Sequence, residues 1–204
     1  MDSIYGQYAY TLQLVMADIV SHIREYSEEE KDKHGEMTYE HLIYRIKSDD
    51  SMREKCDRKG LPQTAYAALY DIHDAIGLRI VCRFIDDIYV NIEHIRDIPG
   101  CSVIEEKDYI KNVKPNGYRS YHMIIRLETP YEDVTGQVPG SFFIEIQLRT
   151  IAMDSWASLE HQMKYKHDIQ NPELIVRELK RCADELAACD VSMQTIRNLI
   201  RGGR

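Results

Sequence analysis

The sequence predicts an α/β domain with β-strands in the centre of the chain and long helices at both ends. Its 204 residues suit a single domain. Apolar residues recur three or four positions apart at both ends, and the middle alternates between β-rich and helical segments. The formal net charge of −8 argues against attachment to nucleic acid or anionic lipid by overall charge. An anionic ligand would therefore have to meet a local basic cluster.

The first predicted element is a long amphipathic helix within residues 1–34. Its apolar positions share one helical face and comprise Tyr8, Leu12, Val15, Ile19, Ile23 and Tyr26. Ser51 and Glu54 have the spacing of a capping box, so a second helix is expected to begin near Ser51. That helix should end at Gly60.

Strands are expected in the centre of the chain, where β-branched and aromatic residues cluster between turn residues. The predicted strands cover Leu78–Phe84, Cys101–Ile110, Tyr118–Leu127 and Phe142–Leu148, with a helix over Ile85–Ile98. Further helices are expected at 151–166 and, after an Asn171 N-cap and Pro172, at 171–201.

The last predicted helix carries an apolar stripe with heptad spacing. The stripe comprises Leu179, Cys182, Leu186, Cys189, Met193, Ile196 and Ile200. This pattern fits burial against the same domain or against a second subunit, and the residues alone leave both open.

The N-terminus lacks the basic and apolar regions of a signal peptide, and no apolar run approaches the length of a membrane span. A cytoplasmic protein is therefore expected. The five cysteines contain no C-x-x-C pair, which suits neither a disulfide framework nor a zinc site.

A first basic cluster lies in the segment YRIKSDDSMREKCDRKG. Arg45 and Lys47 precede the second predicted helix, and Ser51 and Lys55 follow Lys47 at intervals of four residues. A helix N-terminus, a hydroxyl group and successive ammonium groups together suit a chain of phosphates. The alternative is a solvated face on which these cations pair with neighbouring acidic residues.

Two carboxylates are candidates for metal binding or proton transfer. Asp74 stands before the first predicted strand, which also carries Arg79, whose guanidinium can stack on a base. Mg²⁺ is commonly held by one or two carboxylates together with substrate phosphates. Glu145 shares one strand face with Arg149, and it could be a second ligand or a base for a hydroxyl proton. The alternative is a surface Glu145 paired with Arg149.

A second basic cluster spans residues 107–126, with five Lys and Arg residues against one Asp. Tyr118 and His122 lie among these cations, and aromatic rings beside cations suit a nucleobase with attached phosphates. The alternative is an ordinary Asn116-Gly117 turn between strands.

Six motifs occur in order between Tyr39 and Lys166: R-x-K-x3-S-x3-K, D-x2-G-x-R, K-D-Y-I, N-G-Y-x-S-x-H, E-I-Q-x-R-T and W-A-x-x-E-H. In this combination the sequence resembles the synthetase domain of the RelA/SpoT family. That domain transfers pyrophosphate from ATP to the 3′-hydroxyl of GDP or GTP and makes the alarmones ppGpp and pppGpp. The resemblance implies a mixed β-sheet flanked by helices, similar to nucleotidyltransferases, in one domain over residues 1–204 with its core at 39–166.

The resemblance also implies roles for particular residues. An ATP site would be formed by Arg45, Lys47, Ser51, Lys55 and Arg79. A GDP or GTP site would be formed by Lys107, Lys114, Asn116, Tyr118 and His122. Asp74 and Glu145 would be the catalytic residues and would hold Mg²⁺, with Glu145 contacting the metal or taking the proton of the 3′-hydroxyl.

The expected activity is that of a GTP/GDP diphosphokinase in stringent-response signalling. Small family members are typically homotetramers, which favours the second-subunit interpretation of the terminal stripe. The length leaves no room for the family's hydrolase domain, so no hydrolase activity is expected. The mixed segment Glu105–Asp108 leaves the choice between GDP and GTP open.

A function of a different class is a non-catalytic regulator of the same fold that binds guanine nucleotides or single-stranded RNA. Asp74 and Glu145 argue against it, because a sensor needs neither carboxylate for chemistry. Neither a membrane nor DNA is expected as a partner.

Overall fold

A computed structural model of the protein describes residues 3–164 and 171–202. The predicted N-terminal helix is α1, Ala9–His34, which follows a 3₁₀ turn at Gly6–Tyr8. Gly35 ends it in the left-handed conformation, at φ 79°. The periodic positions Leu12, Val15, Ile19 and Ile23 are buried, as their spacing predicts.

Besides a π-helical turn at Ala67–Asp71, five strands and four helices follow α1 in the described part of the chain. They are β1 His41–Ile46, α2 Asp49–Lys59, β2 Ile76–Cys82, α3 Ile85–Asp97, β3 Cys101–Asp108, β4 Tyr121–Thr129, β5 Gly140–Thr150, α4 Ile151–Lys164 and α5 Pro172–Gly202. The five strands form one sheet in the order β1-β2-β5-β4-β3. Because β2 and β5 are parallel and the other pairs are antiparallel, the sheet is mixed, as expected.

The two faces of the sheet have different chemistry. One face is apolar and is covered by α1 and α3, whose buried side chains join those of the strands in the main core. The register places a polar set on the opposite side, here called the open face: Arg45, Gly77, Arg79, Lys107, His122, Glu145, Gln147 and Arg149. Helix α4 lies over part of the open face, and α5 packs on α4, where Trp156 Nε1 donates to the Leu179 carbonyl at 2.7 Å.

Several predicted boundaries were wrong. Strand β1 was not predicted at all. The second helix begins near Ser51 as predicted, at Asp49, but its N-cap is Ser48, which accepts from the Ser51 backbone N–H at 3.4 Å. Strand β4 begins at Tyr121, so Tyr118 lies in the preceding loop. The expected N-cap position of Asn171 is correct, since α5 begins at Pro172 and the Ile175 N–H donates to the Asn171 carbonyl at 3.3 Å, but Asn171 has φ 59° instead of the extended backbone usual for an N-cap.

The heptad stripe of α5 has two different environments. Its first half packs on α4, where Leu179, Cys182 and Leu186 contact the cluster around Trp156. Its second half is exposed at Met193, Ile196 and Ile200.

The predicted end of α4 at Lys166 lies outside the described residues. Among residues 3–164 and 171–202, no helix is both long enough and apolar enough to span a bilayer.

Gly117 is required where the loop before β4 meets α5. Its φ is 91°, and a Cβ at this position would lie 2.6 Å from the Ala183 Cβ. We expect Gly117→Ala to lower the unfolding free energy by about 2–3 kcal/mol, since backbone strain and a steric clash add together. Gly35→Ala is the matched control, because Gly35 also has a positive φ but has open space around it.

Urea unfolding of both variants measures this effect. The control should lose only about 1 kcal/mol. Equal losses in the two variants would contradict the packing of this loop against α5.

Candidate functional site

The first part of the site joins the beginning of α2 to the entrance of β2. Asp74 Oδ2 accepts hydrogen bonds from Lys47 Nζ at 2.7 Å and from Lys55 Nζ at 2.5 Å. Ser51 lies one turn before Lys55, with its Oγ 3.0 Å from Ser48 Oγ. The structure thus brings together the two lysines, the serine and the carboxylate of the predicted phosphate and metal site.

Asp74 is ionised and is held by cations. Burial alone would raise the pKa of its carboxyl, but the hydrogen bonds and charges of Lys47 and Lys55 outweigh burial and lower the pKa below its usual value. The other oxygen, Oδ1, is buried and has no hydrogen-bond partner. An unpartnered carboxylate oxygen is a suitable ligand for a hard cation such as Mg²⁺.

Glu145 lies on the neighbouring strand, beside the entrance of β2. Its Cα pairs with that of Gly77 across the parallel β2–β5 ladder. Its carboxylate accepts a hydrogen bond from Gln147 Nε2 at 3.3 Å. The alternative that Glu145 pairs with Arg149 is wrong, because Arg149 forms its ion pair with Asp154. No group of three or more His, Cys, Asp and Glu side chains in the described part of the chain could hold a metal by itself.

A cavity of about 490 Å³ opens beside these residues, between the open face and α4. Arg45 and Arg79 both line it, on neighbouring strands, together with Tyr118 and Arg149. Burial, followed by the positive charge of Arg149, lowers the pKa of Arg79. Flat guanidinium groups in a cavity of this size can stack on a nucleobase.

Tyr118 and His122 form the far wall of the site. Arg149 Nη2 donates to the Tyr118 hydroxyl at 2.8 Å, and that hydroxyl lies 2.8 Å from His122 Nε2. Since an arginine can only donate, the Tyr118 O–H is left to donate to an unprotonated His122 nitrogen. Burial, followed by the charges of Arg149, Lys114 and Lys107, lowers the pKa of His122 to about 4, so His122 is neutral at pH 7.

The remaining predicted acceptor residues surround this wall. Lys114 Nζ lies 5.0 Å from the centre of the Tyr118 ring. Asn116 accepts from the Tyr118 backbone N–H through Oδ1 at 3.2 Å and donates through Nδ2 to Glu160 at 3.2 Å. Lys107 is paired with His122 in the β3–β4 register and forms an ion pair with Glu105. All five predicted residues therefore lie near one another.

Sequence reasoning missed Asp154 as part of the site. It lies in the first turn of α4, where its Oδ1 is 3.2 Å from Arg79 Nη1 and 2.9 Å from Arg149 Nη1. Arg149 was assigned to a strand face but given no binding role. No sequence motif signals an ion pair between a strand and a later helix, so only the fold reveals these contacts.

The fold and site together define a class of protein suited to polyanionic nucleotides. Arginines and Glu145 lie on the open face of a mixed sheet, and Asp74 with two lysines lies at the entrance of β2, beside a cavity. A sequence profile of the region found in RelA/SpoT proteins matches residues 44–170. The chain belongs to this family. It is 40% identical over 164 residues to the GTP pyrophosphokinase YwaC of Bacillus subtilis, covering 80% of this chain and 76% of that one.

Solved structures agree with the sequence comparison. The small alarmone synthetase 2 of Bacillus subtilis matches with a TM-score of 0.78 and 35% identity, covering 92% of this chain and 95% of that one. The small alarmone synthetase 1 of Bacillus subtilis bound to its product pppGpp matches with a TM-score of 0.78 and 29% identity, covering 93% and 94%. The fold class predicted from the sequence is therefore confirmed.

The low pKa of His122 predicts that acid destabilises the protein. In the unfolded chain a histidine takes up a proton near pH 6.5, whereas folded His122 stays neutral until about pH 4. The unfolded state therefore binds more protons between these values, and the unfolding free energy falls as the pH is lowered through this window. His122 should contribute about 2 kcal/mol of this loss between about pH 7.5 and pH 5.

His122→Gln keeps a hydrogen-bond acceptor for Tyr118 but does not titrate. Denaturant unfolding at the two pH values should therefore show a smaller loss for the variant, by about 2 kcal/mol. The same loss in both proteins would contradict the neutral, buried state of His122.

Proposed function

We propose that the protein is a (p)ppGpp synthetase that transfers pyrophosphate from ATP to the 3′-hydroxyl of GDP or GTP, with its whole chain acting as one synthetase domain. The observation that carries this proposal is that Lys47, Lys55, Asp74 and Glu145 come together at the paired β2 and β5 strands, beside the cavity that Arg45 and Arg79 line. The names of the relatives, GTP pyrophosphokinase and small alarmone synthetase, support it. The substrates are nucleotides of the cytoplasm, where the protein would act.

In this proposal the ATP base lies between Arg45 and Arg79 in the 490 Å³ cavity. The triphosphate would extend toward α2, where Lys47 and Lys55 are already held in place by Asp74. Phosphate oxygens carry more negative charge than one carboxylate, so they would take over these two ammonium groups. Ser51 would add a hydroxyl donor at the beginning of α2.

The acceptor nucleotide lies against Tyr118, with its guanine stacked on the ring and with Lys114, Asn116 and His122 around it. Lys107 would neutralise the acceptor phosphates. The guanosine 3′-oxygen would form a bond to the β-phosphorus of ATP, the bond from that phosphorus to the α,β-bridging oxygen would break, and AMP would leave. Glu145 would take the hydroxyl proton. Such transfers depend mainly on positioning and on charge neutralisation, which these residues provide.

Asp74, through its unpartnered Oδ1, and Glu145 are the residues that would hold Mg²⁺. When bound, Mg²⁺ would neutralise charge on the phosphate oxygens. Asp74 would then have two tasks: it holds the lysines in the free protein and offers its second oxygen to the metal.

Glu145→Gln should lower kcat at least a hundredfold, because the amide cannot take a proton and is a weaker metal ligand. The assay incubates the protein with ATP, Mg²⁺ and GDP or GTP and separates AMP and the guanosine tetra- or pentaphosphate by anion-exchange chromatography. Glu128→Gln is the control, since Glu128 is an exposed carboxylate farther along the sheet. Near-normal turnover by the Glu145 variant would remove its assigned role.

We also propose that copies of the chain associate into a homo-oligomer, with a tetramer expected, through the exposed half of α5. Met193, Ile196 and Ile200 are 49%, 56% and 64% exposed and lie on one side of the helix. An exposed apolar strip of this kind is typical of an interaction surface. A charge placed within it should oppose association, because the charge would be buried without a partner.

Light scattering after size exclusion tests this association. The protein should have the mass of four 23.9-kDa chains, and Ile196→Asp should reduce it toward one or two chains. Thr195→Asp, which lies about 100° around α5 from Ile196, should lower the mass less than Ile196→Asp does. A monomeric wild-type protein would overturn the proposal.

A further inference from the structure

Asp154 is the one carboxylate in contact with both Arg79 and Arg149 among the described residues. A single oxygen, Oδ1, lies 3.2 Å from Arg79 Nη1 and 2.9 Å from Arg149 Nη1. The side chain of Asp154 is only 21% exposed, so these ion pairs are partly shielded from water. Partial burial makes them stronger than ion pairs on a surface.

Arg79 and Arg149 line the same cavity, but they have different neighbours. Arg79 lines the cavity proposed for the ATP base. Arg149 is 5% exposed and donates at 2.8 Å to the hydroxyl of Tyr118, the ring proposed to stack on guanine. A contiguous chain of polar contacts therefore runs from Arg79 through Asp154 and Arg149 to Tyr118.

The charges explain why a carboxylate is needed at this point. Arg45, Arg79 and Arg149 line the same cavity. Guanidinium groups that share a cavity repel one another, because each carries a positive charge. Arg79 Nε is buried and has no hydrogen-bond partner, so its contact with Asp154 does much to set the direction of the guanidinium plane. Without Asp154, repulsion from Arg149 would turn Arg79 away from a stacking position.

We propose that Asp154 is a positioning residue for both nucleotides: it orients Arg79 for the ATP base and, through Arg149, orients Tyr118 for the guanine base. This inference rests on the proposed function for the identity of the two ligands. It predicts that one substitution in α4, at a residue proposed to contact neither nucleotide, weakens the binding of two chemically different substrates. A carboxylate with a purely structural role would change stability without changing either affinity.

The experiment measures the binding of each nucleotide separately by calorimetry, with a non-hydrolysable ATP analogue in one titration and GDP in the other. Asp154→Asn keeps the shape of the side chain but removes its charge. It should lower the affinity for each of the two ligands by about tenfold. Asp154→Glu restores the charge and should recover part of both affinities. Glu185→Gln is the control, since Glu185 pairs with the exposed Arg181 on α5.

Arg149→Lys tests the contact from Arg149 to Tyr118 separately from the contact between Asp154 and Arg79. A lysine can keep the ion pair with Asp154 but cannot also bond Tyr118 and Gln147 in the geometry of the arginine fork. It should weaken the binding of GDP more than the binding of the ATP analogue, because the contact with Tyr118 is lost while the ion pair with Asp154 is kept. This variant also keeps the inference testable if Asp154→Asn does not fold.

In steady-state assays Asp154→Asn should raise KM for both substrates more than it lowers kcat. Unchanged affinity for both ligands, or weakening of only one of them, would overturn the inference. Failure of the proposed function would give a different result from failure of this inference. In that case the wild-type protein would bind both nucleotides without forming AMP and alarmone.

Discussion

Strands β2 and β5 run parallel in the middle of the sheet, and their register determines where Arg79, Glu145 and Arg149 lie. The buried pairs Ile76–Ile144, Leu78–Ile146 and Ile80–Leu148 fix this register on the core face. A shift by one residue would turn these apolar side chains toward the open face, at a large cost in burial. The packing of the core therefore also fixes the placement of Arg79, Glu145 and Arg149.

Local ion pairs explain how an acidic protein can carry two clusters of positively charged side chains. The chain carries a net charge of −8, yet arginines are concentrated on the open face and lysines beside it. Two carboxylates keep these cations in place before any ligand binds: Asp74 holds Lys47 and Lys55, and Asp154 holds Arg79 and Arg149. The cations are thereby preorganised, which lowers the entropy cost of binding a polyanion.

Local sequence patterns predicted the helices well, because α1, α3 and α5 each have an apolar periodicity that tertiary packing reinforces. Strand β1 was not predicted because it is an edge strand with four exposed residues. Its sequence therefore lacks the alternation of apolar and polar residues that indicates a strand. Ser51 was mistaken for an N-cap because Ser48, three residues earlier, has the same chemistry. The position of a cap depends on backbone conformation, which spacing alone does not reveal.

The predicted site residues were found through ordered motifs, and the structure brings them together. Asp154 could not be found in this way, since its partners lie 75 and 5 residues away and meet only when α4 folds over the sheet. The same holds for the contact from Arg149 to Tyr118. Contacts that orient binding residues are thus the part of the site that depends most on the tertiary fold.

The fate of the β-phosphate of ATP distinguishes transfer of pyrophosphate to a guanine nucleotide from hydrolysis of ATP. ATP labelled at its β-phosphorus is incubated with the protein, Mg²⁺ and GDP, and the products are separated. If the pyrophosphate is transferred, the label appears in the guanosine tetraphosphate and AMP is unlabelled. Label found in ADP or free pyrophosphate, with none in a guanine nucleotide, would contradict transfer of pyrophosphate by this site.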